Sequence, residues 1–274
     1  MSDLATTPVA AAPPARAAVR RAAIGQGALR IGLPLAFAAA VLGAWELLVR
    51  LYAVPEVILP APSAVAARLV SAWPFLLTHA VPTTLEALGG FLLAAALGTA
   101  LAVLLAYSRL ARLALYPNVV FFQLIPKIAL APLFIVWLGI GSTSRLAFSL
   151  FIGFFPVVIA TATGLAAAPP EMLRLCRAYS ASPWQVFTAV RFPYALPFVF
   201  SGLKIAVTFA IIGVIVGEFI TAQAGLGYLI LFAASQAETA LILAAIAALC
   251  VVGLALYGLV ALAERLVLAR YGHR

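Results

Sequence analysis

Residues 169–203 read PPEMLRLCRAYSASPWQVFTAVRFPYALPFVFSGL. The first half of this stretch is too polar to cross hydrocarbon, yet it is punctuated like folded protein. Pro169 and Pro170 suit a helix start, and Glu171 complements its first-turn dipole. A short helix is expected to run to about Tyr179. Ser182 is a natural N-cap, Pro183 fits the first helical position and Gln185 sits at the third, which together make a capping box. This second helix is expected to stop near Phe192, because Pro193 follows. Trp184 and Phe187, three residues apart, share one of its faces. Two capped helices that display aromatics between apolar runs read as a docking element. The alternative is a loop folded back on its own helix ends.

The surroundings of this stretch set the fold class. Of 274 residues, 66% are hydrophobic and 9% are charged, where a soluble domain carries charge at about a quarter of its positions. Most of this chain must be solvated by lipid. Runs close to the length a membrane helix needs fall at 31–51, 83–107, 114–139, 145–166, 195–220 and 240–264. Only helices cross lipid as open segments. The expected fold is therefore an all-α polytopic bundle of about six transmembrane helices with a structured loop. Residues 1–28, rich in Ala, Pro and Arg, are expected to form a disordered tail. Residues 29–270 form the membrane domain, which includes the loop at 169–193, and 271–274 a C-terminal tail. The run at 31–51 is too long for a signal-peptide core and lacks a small-residue cleavage site, so it reads as the first span.

Basic residues orient the bundle. Arg16, Arg20, Arg21 and Arg30, then Arg109 and Arg112, then Arg174, Arg177 and Arg191, and finally Arg265, Arg270 and Arg274 alternate onto one side. The other side holds Arg50, Arg68 and Arg145. The positive-inside rule places both termini and the 169–193 loop in the cytoplasm. The net charge of +9 suits an anionic membrane surface better than a nucleic-acid groove.

Between the first two spans, Pro55, Pro60, Pro62 and Pro74 forbid one continuous helix. A short amphipathic piece after Pro62 is expected along the interface. Thr83 and Glu86 read as a T-x-x-E capping box opening the second span. Lys127 directly follows Pro126 in the third run. A lysine there should face the bundle interior or a water path, either attracting an anion or pairing with the carbonyl that proline frees. Glu218 lies near the far end of the fifth run and Lys204 near its start, about 20 Å apart by helical rise. Glu218 is expected to pair with Lys127 or a partner subunit. Lys127 and Glu218 are the candidate translocation-path residues. Gly213 and Gly217 form G-x-x-x-G, a surface for close contact within the bundle or with another copy. Cys176, Cys250, His79 and His273 show no metal-ligand spacing. No phosphate-cradling G-x-x-x-x-G-K-[ST] and no nucleophile–base set occurs, so the chain is not expected to be an enzyme by itself.

The loop resembles the coupling loop of binding-protein-dependent ABC importer permeases, whose pattern is E-A-A, three residues, a glycine, nine residues, Ile, one residue, Leu-Pro. Its positions fall here on Arg174-Leu175-Cys176, Ser180, Val190 and Phe192-Pro193, with Ser180 standing where the pattern has glycine. The chain is similar to the nitrate, sulfonate and taurine branch at Leu59-Pro60-Ala61-Pro62-Ser63 and at Pro126 to Leu133. The same branch is matched at Trp137-Leu138-Gly139, Ala181-Ser182, Trp184-Gln185, Leu196-Pro197, Ser201-Gly202-Leu203-Lys204, Gly217-Glu218-Phe219 and Gly225-Leu226-Gly227. The resemblance implies that Arg174, Ser180, Ala181, Ser182, Trp184, Phe187 and Pro193 form the element that couples to separate ATP-binding-cassette ATPase subunits. It further implies an external substrate-binding protein and a second permease copy. ATP and Mg2+ would be bound by the ATPase and no cofactor by this chain. The expected location is the bacterial inner membrane, and the solute a small anion or a vitamin-precursor pyrimidine. An ion-coupled secondary transporter is the alternative, but the structured loop has no task in that scheme.

Overall fold

A computed structural model describes residues 16–221 and 223–271. Every regular element among them is helical: α1 Arg16–Leu51, α2 Pro62–Ser71, α3 Trp73–Tyr107, α4 Arg109–Leu124, α5 Ala131–Leu138, α6 Ser142–Ala166, α7 Pro170–Ala178, α8 Pro183–Val186, α9 Phe192–Thr221, α10 Leu226–Ser235 and α11 Thr239–Arg270. A 3₁₀ turn, Lys127–Leu130, links α4 to α5, and a π-helical turn, Phe187–Arg191, links α8 to α9. Five helical stretches are long and apolar enough to span a membrane, or six if the bent pair between Arg109 and Leu138 counts as one. The expected all-α membrane bundle is what the chain forms.

The core is α3, α6 and α9 packed together, with α10 and α11 closing one side. Ala87, Phe91, Val157, Leu196, Ala206, Ala210 and Val214 are buried at its centre. Small residues at the crossings let backbones approach, which is how membrane helices gain packing energy without a hydrophobic drive. Gly213 faces the Ser149 backbone of α6, where an added Cβ would lie 2.8 Å from the Ser149 Cα. Gly217 likewise faces Arg145. The G-x-x-x-G ridge therefore serves an internal contact.

Four sequence expectations are corrected. Helix α1 begins at Arg16, inside the stretch expected to be disordered; Ala and Arg are strong helix formers, and 17–23 is built almost wholly of them. Residues 1–15 and 272–274 lie outside the described residues. The second span starts at Trp73, with Pro74 in its first turn. Thr83 and Glu86 are thus interior residues and form no capping box. The third run is not one helix. Ile125, before Pro126, is extended at ψ 136°, as the proline ring demands, and the two halves meet at 91°. Finally, Pro193 does not end the second loop helix. The preceding turn widens to π spacing, with the Phe192 N–H donating to the Phe187 carbonyl. That shift lets the helix pass the missing proline donor, and it runs unbroken from Pro183 to Thr221, 39 residues.

Candidate functional site

The loop between α6 and α9 is a handle built from local signals. At the end of α7, Ser180 adopts φ +52°. The Ser180 N–H donates to the Arg177 carbonyl (3.0 Å) and the Ala181 N–H to the Cys176 carbonyl (2.9 Å). These two bonds make a Schellman cap, whose left-handed residue is normally glycine. Ser180 thus occupies the conformation that its alignment with the pattern's glycine suggests. Two residues on, Ser182 caps α8. Its Oγ accepts from the Gln185 N–H (3.3 Å), while Gln185 Oε1 accepts from the Ser182 N–H (2.7 Å). The capping box is present as read from sequence.

Aromatic rings lock the handle to the bundle on one side and leave it open on the other. Phe187 stacks on Trp184 with centroids 5.6 Å apart, and packs on Tyr107 of α3 and Phe192 of α9, each at 5.7 Å. Trp184 remains 69% exposed and Tyr179 80%. Arg174 is exposed and paired with Glu171 at 3.0 Å. Ala181 is half-buried, and Pro193 lies in the first turn of α9. All seven expected loop residues fall on this one element.

The two expected path residues do not meet. Lys127 sits at the break between α4 and α5. Its Nζ donates to the Gln123 carbonyl at 2.7 Å and lies 5.3 Å from the Phe155 ring centroid. Lys127 thus meets a carbonyl left open by the break, Gln123's, not the Phe122 carbonyl that the missing Pro126 N–H would have served. Glu218 is only 1% exposed and its partner is not Lys127. It accepts from the Thr83 hydroxyl (2.6 Å) and from the Gly227 N–H (2.7 Å). Thr83 in turn accepts from the Leu226 N–H at 2.8 Å, and His79 Nδ1 accepts from the Gly225 N–H at 3.1 Å. The carboxylate and its neighbours thus receive the first N–H groups of α10, where a helix favours negative charge. Gly225, at φ +117°, is obligatory: an added Cβ would lie 2.1 Å from Glu218 Oε1. Beside this cap, Arg145 grips Glu86 through two hydrogen bonds of 2.7 and 2.6 Å. Thr83, Glu86, Arg145 and His79 are members of this cluster that sequence reasoning missed as a group. The signal was present in the close spacing of Glu218 to Gly225 and Gly227. Lys204 pairs with Glu264 of α11.

A helical membrane bundle with a polar cluster sealed in its interior and a stiff two-helix handle at one end defines a transport permease. Residues 94–269 match the model for the binding-protein-dependent transport system inner membrane component, and the chain belongs to this family of ABC importer permeases. It is 37% identical to a probable ABC transporter permease of Haemophilus influenzae, over 84% of this chain and 94% of that protein. It is 37% identical to the riboflavin transport system permease of Chloroflexus aurantiacus, over 86% and 88%. With the formylaminopyrimidine transport permease of Halalkalibacterium halodurans it shares 35%, over 67% and 74%. In structure it resembles a chain of the MetNI methionine ABC transporter captured facing inward, with TM-score 0.60 and 21% identity, over 73% of this chain and 97% of that one. At that identity the likeness is one of fold.

Proposed function

We propose that the chain carries a vitamin-related nitrogen heterocycle inward and is driven through its handle by separate ATPase subunits that bind ATP and Mg2+. The observation that carries this reading is the continuity of the handle with α9: Trp184 and Glu218 ride on one 39-residue helix. A displacement of the exposed Trp184 face is transmitted along that helix instead of being absorbed by a flexible loop. Arg174, Ser180, Ala181, Ser182, Trp184, Phe187 and Pro193 form or shape the docking face. Riboflavin and a formylaminopyrimidine are the solutes named for two similar permeases, which supports the heterocycle. A small anion is the second reading, favoured by Lys127 at the break between α4 and α5. In either case an external binding protein delivers the solute and a second copy of this chain completes the path.

The distribution of basic residues supports a cytoplasmic handle. Each arginine on the sparsely basic side is neutralised by a carboxylate: Arg50 by Glu46, Arg68 by Glu238 and Arg145 by Glu86. On the handle side, Arg109, Arg112, Arg177 and Arg191 have no ion pair among the described residues. Orientation follows the Lys/Arg count of short loops and owes little to carboxylates, and that count favours the inner membrane's cytoplasmic face for the handle. Thermal-shift screening of the cognate binding protein with flavins, pyrimidines, sulfonates and nitrate tests the solute. Stabilisation by a flavin or pyrimidine is expected; stabilisation by a sulfonate or nitrate alone overturns the heterocycle and supports the anion. The role of Lys127 is read from Lys127→Met, which raises the transport KM for an anion but not for a neutral heterocycle.

A further inference from the structure

An open cavity of about 390 Å³ lies where α3 and α6 end, beside the start of α4 and the π-helical turn. Leu105, Ala162 and Leu165 form apolar wall, Arg112 and Arg191 border it, and no carboxylate lines it. Arg112 donates to the carbonyls of Leu105 (2.9 Å) and Ala106 (3.1 Å), so it closes the end of α3 with N–H donors to spare. The Arg191 side chain has no hydrogen bond or ion pair among the described residues. Leu110 and Leu113 on adjacent turns of α4 are exposed. A cationic rim over an apolar slot, set where membrane helices end, complements a phosphate that carries hydrocarbon chains. A free phosphate leaves the apolar wall unused.

We propose that this cavity binds an anionic phospholipid, its head-group phosphate between Arg112 and Arg191 and its upper acyl chains against Leu105, Ala162 and Leu165. The proposal rests on the cytoplasmic placement of the handle. Arg191 closes the π-helical turn, so a bound lipid ties the handle to α4, and leaflet composition sets how firmly the handle is held. The test uses the complete importer, with its ATPase and binding protein, in phosphatidylcholine vesicles with and without phosphatidylglycerol. Retained lipid is read by native mass spectrometry and ATP-driven uptake is read separately. Wild type retains phosphatidylglycerol and transports faster with it. Arg191→Gln, which breaks no existing bond, weakens retention about fivefold and removes the uptake difference, whereas Arg191→Lys keeps both. The site is overturned if Arg191→Gln retains the lipid as wild type does, or if inorganic phosphate in phosphatidylcholine vesicles reproduces the gain. Because retention is read independently, a chain that holds phosphatidylglycerol without transporting sinks the transport reading and leaves the lipid site standing.

Discussion

The two ends of the Pro183–Thr221 helix are built on opposite principles. At the handle end, rings pack in the open: Trp184 on Phe187, Phe187 on Tyr107, with Trp184 largely exposed. At the far end, Glu218, Thr83 and the N–H groups of Leu226 and Gly227 satisfy one another out of contact with solvent. An exposed aromatic face can be gripped and released, because its partner replaces contacts with water. A buried carboxylate with fixed donors has no such exchange available, since every bond it loses stays unmade. The helix is therefore anchored where it meets α3 and α10 and available where it leaves the bundle. A lever needs this asymmetry.

Substitutions at the anchored end should damage folding most. Glu86→Ala leaves Arg145 charged and partly buried without its carboxylate, and should lower stability by about 3–5 kcal/mol, read as a fall in the Tm of the purified protein in detergent. A Tm equal to wild type would mean that the pair is solvated. Glu218→Gln keeps the shape but places an amide N–H₂ against existing donors, and should remove about 2–3 kcal/mol by the same measurement. At the handle end the pattern reverses. Trp184→Ala should leave Tm unchanged while weakening ATPase-subunit association by about 2 kcal/mol, read by titrating the purified ATPase. If Tm falls while association holds, Trp184 is a packing residue. The smallest effect is Ser180→Gly, which relieves the φ +52° conformation and should stabilise the loop by about 1 kcal/mol with uptake preserved. Slower amide exchange at Ala181 would record it; loss of ATPase association would contradict it.

Features held by near neighbours were legible in the sequence. The capping box at Ser182 and Gln185 depends on residues within five positions and stands as read; the left-handed turn at Ser180 is as local, but only its place at the pattern's glycine pointed to it. Apart from the Ala- and Arg-rich start of α1, where local helix propensity was under-read, what failed depended on distant partners or on how the backbone absorbs proline. Thr83 and Glu86 have the spacing of a helix start, but their partners Glu218 and Arg145 are 135 and 59 residues away. Pro193 and Pro126 look alike in sequence. One is absorbed by a π-turn inside a continuous helix, while the other breaks the chain at 91°. Their surroundings differ: Phe187, which opens the π-helical turn ahead of Pro193, is held between Tyr107 and Phe192, whereas the Gln123 carbonyl exposed at the other break is met by Lys127. The apolar runs were readable because lipid demands them whatever the tertiary partners.

The most direct test of the lever is the sidedness and protection of its tip. In a background where Cys176 and Cys250 are replaced, Tyr179→Cys, at an 80% exposed position of the handle that leaves Trp184 in place, is treated with a membrane-impermeant maleimide. The account predicts no labelling in intact cells, labelling in inside-out vesicles, and protection when the ATPase subunit is bound. Labelling in intact cells, or labelling indifferent to the ATPase, would contradict it.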